Sequence, residues 1–403
     1  MVSVCTMDAD YAMEPFDTIV LGLGAVGSAA VYQLAGRKHK VLGIDQFSPP
    51  HAYGSSHGDT RVTRVAIGEG AQYTPLAVRS HEIWRDLEKQ TGTSLLATDG
   101  LLIISSGAKR SVTHVDNFFA NTLAAAERFG IDHEILDAHE IRRQFPAFNV
   151  AVDEGGYFEH GAGFLRPEEC IRTQLTLAQQ AGATIHRDEK VLGFDASGSI
   201  VTVTTDHGTY GCGNLIVAAG AWLPHLVGRD IANVFSVYRQ VLYWFDIDGD
   251  ASPFLSPRFP VFIWELQKKP QGVYGFPAID GPNGGIKIST ETYGVTTTAE
   301  TADRLVSGKE IAAMYEDYVA PYIHGVTSTC RRTATCLYTV TPDFGFVIDR
   351  HPQSNRVIIA SPCSGHGFKH SAAIGEALAQ WIIDGCSRVD LGPFNLRRFG
   401  DRF

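Results

Sequence analysis

The sequence has few cysteines, no CxxC pair and no long apolar run. Its seven cysteines among 403 residues are an odd number at scattered spacings, which argues against a disulfide framework. The absence of a CxxC pair argues against a structural zinc site, and we expect no bound metal. Because no apolar stretch is long enough to span a bilayer and no signal-peptide pattern is present, we expect a cytoplasmic protein without a membrane partner.

Basic residues are outnumbered by acidic ones. The chain has 34 lysines and arginines against 44 aspartates and glutamates, which gives a formal net charge of −10. No Lys/Arg-rich run offers a stripe for phosphates, so we expect no nucleic-acid partner, while small charged substrates stay open. The length allows two domains or one large one. Residues 1–15 match no element and are expected to be a disordered leader.

The sequence does contain a glycine-rich turn between a strand pattern and a helix pattern. Residues 19–21 form a short apolar run typical of a buried strand, and apolar residues at helical spacing then follow until Gly36. Three glycines would allow, in chain order, a tight turn, the approach of a pyrophosphate to the backbone and close helix packing: Gly22, Gly24 and Gly27. Asp45 ends the next strand, where a ribose hydroxyl would bind. This pattern predicts a dinucleotide site; a chance glycine-rich turn is the alternative.

A polar loop over residues 48–64 follows this unit. Loops beyond the carboxyl ends of parallel strands commonly bind ligands in such folds. Four side chains of the loop are therefore candidates for contacts with the reactive end of a cofactor: His57, Thr60, Arg61 and Arg64. Two arginines three apart suit a flavin, a carboxylate or a phosphate equally. The alternative is an ordinary polar surface loop.

The middle of the chain alternates between two kinds of pattern. We expect an amphipathic helix over 73–90, a helix with Pro167 at its first position, and a strand meander over 183–210 in which Val191 would contact an adenine ring. A strand at 215–217 returns to the nucleotide-binding pattern. From 234 to 328 aromatic strands dominate, and Lys287 lies inside one of them. A buried charge there needs a partner, whereas an edge-strand lysine facing water is the alternative.

A second strand-glycine-helix unit lies near the C-terminus. The strand at 356–360 runs into a glycine turn, and a helix follows that would direct its positive N-terminus at the ligand of the first unit. The candidate cofactor-binding residues of this turn are Gly365, His366, Gly367 and Lys369. His366 and His370 have no acidic third ligand nearby, so we expect no metal between them.

These motifs, in this order, resemble the monomeric sarcosine oxidase family, which includes N-methyltryptophan oxidase and pipecolate oxidase. The resemblance extends from about Phe16 to the C-terminus and rests on GLGAVGSAA, GSSHGDTR, YRQ, YGFP, CLYT and SGHGFK. It implies an α/β fold with a Rossmann-like FAD-binding domain and a second antiparallel-sheet substrate domain, as in glutathione reductase and D-amino acid oxidase. The corresponding division is 16–95, 160–230 and 330–403 for the first domain, and 96–159 and 231–329 for the second.

The resemblance also implies residue roles. Lys287 resembles the lysine near flavin N5 that activates O2, and Cys336 resembles the cysteine bonded to the flavin 8α-methyl group. Three loop residues resemble neighbours of the flavin ring: His57, Thr60 and Arg61. The residues that would bind substrate are the carboxylate-gripping pair and an active-site tyrosine: Arg64, Lys369 and Tyr274.

The sequence departs from the family at three positions. Glu291 stands where sarcosine oxidase has a histidine, Val65 stands where relatives often have one, and Cys363 stands where an apolar residue is usual. A carboxylate at position 291 would line the substrate pocket and pair with a cationic amine, or point away from it. Either arrangement puts sarcosine itself in doubt as the substrate.

The implied activity is oxidation of a secondary amino acid, N-methyl or cyclic, by FAD and O2. The products would be an imine and H2O2, with the flavin doing the electronic work. Alternatives are a flavin-dependent dehydrogenase, an oxidase that desaturates a cyclic imine, and a non-catalytic flavin- or nucleotide-binding protein. The expected partners are a small amine and O2, and the chain is expected to be a monomer.

Overall fold

The computed structural model describes residues 15–106, 115–266, 269 and 271–400. Residues 1–14 of the expected leader lie outside the described residues. The described strands form sheets of eight, nine and three strands. In chain order they are β1 Phe16–Leu21, β2 Val41–Ile44, β3 Arg61–Thr63, β4 Leu96–Ala97, β5 Leu101–Ser105, β6 His133–Asp137, β7 Gly155–Glu159, β8 Gly163–Leu165, β9 Thr184–His186, β10 Val191–Asp195, β11 Val201–Thr205, β12 Thr209–Val217, β13 Ser236–Ile247, β14 Val261–Trp264, β15 Val273–Phe276, β16 Ile286–Thr290, β17 Thr296–Thr297, β18 Val326–Val340, β19 Val347–His351 and β20 Ser354–Ser361.

The α-helices agree with the main sequence predictions. The helix predicted over 73–90 is α2, and α5 begins with Pro167 and has two glutamates in its first turn. No helix in the described ranges is long and apolar enough to cross a membrane. The α-helices are α1 Ala25–Gly36, α2 Thr74–Thr91, α3 Phe118–Phe129, α4 Ala138–Gln144, α5 Pro167–Gln180, α6 Arg229–Ala232, α7 Gly308–Met314 and α8 Ser371–Ile383.

The eight-stranded sheet has a parallel core. β9, β2, β1, β12 and β20 pair in parallel, while β10, β11 and the first half of β12 form an antiparallel meander. Along β1, Val20 packs towards α1, α5 and α8, whereas Ile19 and Leu21 pack on the opposite face. Burial of both faces explains why this strand is a continuous apolar run. The predicted fold class is confirmed.

One strand boundary was wrong in the sequence analysis. The meander was expected to stop at Tyr210 and a separate strand to start at Leu215, but β12 is a single strand of nine residues through both segments. Its first half pairs with β11 and its second half with β1 and β20. A strand can belong to a meander and to a parallel core at once because its two halves have different neighbours.

The nine-stranded sheet forms the second layer of the molecule. Its main path is β17-β13-β16-β15-β14-β5-β7-β6, with β18 paired to β13. All pairings in it are antiparallel except that of β14 with β5. Because β16 lies between β13 and β15, Lys287 is on an interior strand. The domain division stays a prediction, although the pairing of β18 joins residues 330–340 to this second sheet.

Candidate active site

A cleft of about 1470 Å³ lies at the carboxyl ends of four parallel strands, β1, β2, β12 and β20. Such an edge is where open α/β sheets bind ligands. The cleft is lined by six of the candidate cofactor-binding residues: Gly22, Gly24, Asp45, Val191, Gly365 and Gly367. Asp45 is buried, and its carboxylate accepts a hydrogen bond of 2.7 Å from the backbone N–H of Leu23.

The three glycines of the first turn are needed for different physical reasons. Gly22 has φ +83°, and a Cβ on Gly27 would lie 1.7 Å from the carbonyl oxygen of Gly22, so the fold itself requires both. Gly24 has φ −70°, and a Cβ there would meet only Ser56 Oγ, at 3.5 Å. Its small size therefore keeps space free in the cleft. The first turn of α1 has no acidic residue and its N-cap is Gly24, while the backbone N–H of Ala25 donates to Ser56 Oγ at 3.3 Å. The positive N-terminal end of α1 therefore suits the pyrophosphate of a dinucleotide.

A second cavity of about 870 Å³ adjoins the first. It brings together eight predicted side chains from separate parts of the chain: Thr60, Arg61, Arg64, Tyr274, Lys287, Glu291, His366 and Lys369. The cleft and this cavity share four lining residues, Arg61, Tyr338, Gly365 and Phe368. A ligand that fills the cleft as far as these residues would meet a molecule bound in the cavity.

Lys287 is buried, with 2% of its surface exposed. Its Nζ donates to the carbonyl oxygens of Gly58 and Thr60, both at 2.7 Å, and to Thr60 Oγ1 at 2.9 Å. The alternative of an edge lysine facing water is therefore wrong. Burial, with Arg61 nearby, holds the pKa of Lys287 well below its usual value, because desolvation penalises the charged form.

The loop that contains Thr60 and Arg61 is fixed by both sheets. Glu168, in the first turn of α5, accepts hydrogen bonds from the backbone N–H groups of Gly58 at 2.6 Å and Asp59 at 3.2 Å. Arg61 donates to the carbonyl oxygen of Ser55 at 2.6 Å. The loop is thus held by a helix of the first layer and by Lys287 of the second.

His57, unlike its neighbours in the loop, lines neither cavity. It is 4% exposed, and burial together with the positive charge of Arg61 lowers its pKa to about 3. The imidazole is therefore neutral at physiological pH. Gly27 and Cys336 also line neither cavity.

The two cations expected to bind a substrate carboxylate share a carboxylate of the protein. Arg64 Nη2 lies 2.7 Å from Glu69 Oε2, and Lys369 Nζ lies 3.9 Å from Glu69 Oε1. Lys369 also donates to the carbonyl oxygen of His366 at 2.8 Å. Burial lowers the pKa of Lys369 to about 8, although Glu69 opposes that shift. This cluster presents two cations and one anion to the cavity.

Two cysteines lie near the junction of the cavities. Cys336 is on β18 opposite Gln240 of β13, with 1% of its surface exposed, and burial raises the pKa of its thiol. Cys363 lines the cleft directly, and its Sγ accepts a hydrogen bond of 3.3 Å from the backbone N–H of Thr339. The structure therefore brings two thiols close to the junction of the cavities. The family resemblance indicates only Cys336 as the cysteine bonded to the flavin.

Sequence reasoning missed three residues of this site: Glu69, Glu168 and Tyr338. The only signal for Glu69 in the sequence is its position five residues after Arg64. Glu168 lies in the first turn of α5, where a carboxylate usually only stabilises a helix, so its sequence position does not indicate a role in the site. Tyr338 lies two residues after Cys336, so alternation along a strand would have placed both on one face of β18.

The described residues contain no group of three or more histidine, cysteine, aspartate or glutamate side chains arranged to hold a metal ion.

Comparisons with known proteins agree with a flavin site. Residues 17–381 match the family described as FAD dependent oxidoreductase, DAO. The chain is 39% identical over 388 residues to the monomeric sarcosine oxidase of Streptomyces avermitilis, covering 96% of this chain and 98% of that protein.

Two further proteins are similar over nearly their whole length. The N-methyl-L-tryptophan oxidase of Yersinia pestis is 34% identical over 388 residues, covering 95% of this chain and 99% of that protein. The solved structure of NikD, described as an unusual amino acid oxidase essential for nikkomycin biosynthesis, superposes with a TM-score of 0.80 at 22% identity. That match covers 95% of this chain and 98% of the NikD chain, and it shows the shared fold alone.

Proposed function

Since the chain belongs to the family of FAD-dependent oxidoreductases, we propose that it is an oxidase of secondary amino acids, N-methyl or cyclic. The expected products are an imine and H2O2. One observation supports this above the others: the nucleotide cleft and the cation-lined cavity meet at Arg61, Tyr338, Gly365 and Phe368. We propose a monomer that acts on a small-molecule amine and O2 in the cytoplasm.

The residues of the chain would bind and orient the two reactants. FAD, when bound, supplies the two-electron acceptor. Arg64 and Lys369 would hold the substrate carboxylate, and Tyr274 would form part of the wall next to it. The N-terminus of α1 and the glycine turn that precedes α8 would stabilise negative charge on the cofactor, since the aligned backbone dipoles make the N-terminal end of a helix positive.

Lys287 is proposed to assist the reaction with O2. Its Nζ donates to three oxygen atoms, and only the ammonium form carries three N–H donors, so this set of hydrogen bonds favours the charged lysine against the desolvation that lowers its pKa. Electron transfer to O2 creates superoxide, and such a fixed cation in a dry site stabilises that charge. We expect Lys287→Met to slow reoxidation of the reduced enzyme by O2 by about 10²-fold or more. Stopped-flow mixing of reduced enzyme with O2 measures this rate, and Lys309→Met on the exposed face of α7 is the matched control.

The same measurement separates the candidate functions. An unchanged reoxidation rate in Lys287→Met would favour a dehydrogenase with another electron acceptor. Absence of H2O2 from wild-type enzyme with a broad panel of N-methyl and cyclic amino acids would favour a non-catalytic flavin-binding protein. Purified protein without flavin would contradict the whole proposal.

We also propose that FAD is bonded covalently through its 8α-methyl group to Cys336. Support comes from the match of the C-x-Y-T-x-T-x-D segment to the family pattern and from the place of Cys336 beside Arg61, Lys287 and Cys363. We expect acid-precipitated wild-type protein and Cys363→Ala to stay yellow, and Cys336→Ala to release its colour into solution. Release from Cys363→Ala instead would assign the bond to the other thiol.

A further inference from the structure

We infer that Glu291 makes the cavity selective for amino acids whose amine is positively charged when it binds. This inference rests on the proposed function, because it specifies the ionic form in which the amino acid enters the same cavity. Position 291 is one at which this chain departs from the family resemblance. The role of Glu291 therefore cannot be taken over from the histidine of sarcosine oxidase.

The first observation is the placement of Glu291. It follows directly after β16, four positions beyond Lys287, and both side chains line the same cavity. Successive side chains on a strand alternate between faces, so an even spacing keeps both on one side. Lys287 lies within the strand, and Glu291 lies just beyond its end. The two charged groups therefore bracket the space beside the junction with the cofactor cleft.

The second observation is what surrounds the carboxylate. Tyr293 donates its hydroxyl proton to Glu291 Oε2 at 3.1 Å. A Cβ built on Gly365 would lie 2.9 Å from the Tyr338 ring, 3.1 Å from the Tyr293 hydroxyl and 3.2 Å from Glu291 Oε1. Glu291 is thus beside Gly365, one of the residues shared by the two cavities. The negative charge lies where the reacting end of the substrate would be, rather than at the outer wall.

The third observation is the distribution of charge and aromatic rings in the cavity. Four cations line the cavity, Arg61, Arg64, Lys287 and Lys369, together with two carboxylates, Glu69 and Glu291. Glu69 pairs with Arg64 and Lys369, whereas Glu291 lies beside Gly365, so the cations stay in excess for a substrate carboxylate and Glu291 provides a separate negative charge. Tyr274 and Tyr338 line the cavity with Glu291. N-alkylated ammonium groups bind favourably against aromatic faces and next to carboxylates. The cavity therefore matches the charges of an N-alkylated amino acid in its zwitterionic form.

The experiment uses two ligands of the same shape that differ by one positive charge. Glycine betaine has a quaternary nitrogen, and 3,3-dimethylbutyrate has a carbon in its place; neither has an amine that can be oxidised. Titration calorimetry of the holoenzyme measures the Kd of each. We expect wild-type enzyme to bind betaine about tenfold or more tightly than 3,3-dimethylbutyrate. We expect Glu291→Gln to reduce that preference by about threefold or more, leaving the part that the rings of Tyr274 and Tyr338 contribute.

Matched variants separate charge from shape. Tyr293→Phe keeps the carboxylate of Glu291 and is expected to keep the preference for betaine. Glu316→Gln, which removes a carboxylate at an exposed position, is also expected to keep it. Glu291→His, which introduces the residue of sarcosine oxidase, is expected to weaken the preference as Glu291→Gln does. Retained binding of 3,3-dimethylbutyrate by Glu291→Gln shows that the cavity is intact.

Two results would overturn the inference: a wild-type preference for the neutral ligand, or an equal preference for betaine in wild-type and Glu291→Gln. Glu291→His is the second variant that removes the carboxylate, and it replaces Glu291→Gln in this comparison if Glu291→Gln does not fold. Oxidation of N-methyl amino acids without any preference for betaine would sink this inference and leave the proposed function standing. A preference for betaine that depends on Glu291, without H2O2 formation from any amino acid, would contradict the proposed function and leave the charge selectivity of the cavity standing.

Discussion

At the scale of single residues, the site holds its positive charges in two different ways. Lys287 is surrounded by neutral acceptors and, among the residues the structure describes, forms no ion pair. Lys369 is near Glu69, which also binds Arg64. A carboxylate nearby favours the protonated form of a lysine, whereas burial disfavours it. The two lysines are therefore expected to titrate differently.

The pKa of Lys369, at about 8, predicts a pH dependence of substrate binding. Below pH 8 the ammonium group attracts a carboxylate, and above pH 8 it loses its charge. We expect the Kd of 3,3-dimethylbutyrate, which stays anionic throughout, to rise by up to about tenfold per pH unit above pH 8. Calorimetric titrations between pH 6.5 and 9.5 measure it. If Lys369→Met shows the same rise, another group is responsible.

At the scale of elements, α1 begins at the cleft and packs closely against α8, which follows the second glycine turn. A Cβ on Gly375 of α8 would lie 2.4 Å from the Cβ of Ala29 of α1. The two helices therefore cross at a distance that only glycine permits at this position. A wider crossing would move the start of one helix relative to the other.

We expect Gly375→Ala to destabilise the protein by about 1–3 kcal/mol, because an added methyl group overpacks this crossing. The matched control is Gly36→Ala at the last position of α1, where a Cβ would meet nothing within 4 Å. That change should be neutral or slightly stabilising, since alanine favours helix by up to about 1 kcal/mol over glycine. Thermal unfolding of both variants gives the comparison, and equal melting temperatures would contradict the close-packing account.

At the scale of the whole molecule, the site lies where the two large sheets meet. The loop from Gly54 to Arg61 is bonded to α5 through Glu168, to β16 through Lys287 and to β18 through the N–H of Leu337. Arg61 begins β3, which pairs with β8 in the three-stranded sheet. A displacement of either sheet would therefore disturb the residues at the junction of the cavities.

Buried neutral histidines predict loss of stability in acid. His57 has a pKa of about 3, and desolvation holds the pKa of His370 well below its usual 6.5. Below pH 6.5 the unfolded chain binds protons at both positions and the folded chain does not. Stability should therefore fall as pH falls, by about 1.4 kcal/mol per pH unit for each histidine. Urea unfolding between pH 5 and 7 tests this, and His370→Gln should have a shallower slope than wild type.

Much of the fold was predictable because the signals are local. The apolar run before Gly22, the helical spacing up to Gly36 and the proline at the start of α5 each predict one element without reference to the rest of the chain. The break between Tyr210 and Leu215 was predicted wrongly because a polar stretch suggests a turn. In the structure this stretch stays within β12, whose two halves pair with different strands. Pairing partners come from distant parts of the chain, and no local pattern identifies them.

The sequence by itself determined the elements, the dinucleotide turn and the types of side chain available for chemistry. Only the tertiary structure decided that Lys287 is buried, that Glu69 lies between Arg64 and Lys369, and that Glu291 is beside Gly365. The physical reason is the distance along the chain over which each effect acts. Backbone preferences and periodicity act over a few residues, whereas the charge state and partners of a buried side chain depend on residues that meet only when the two sheets pack together.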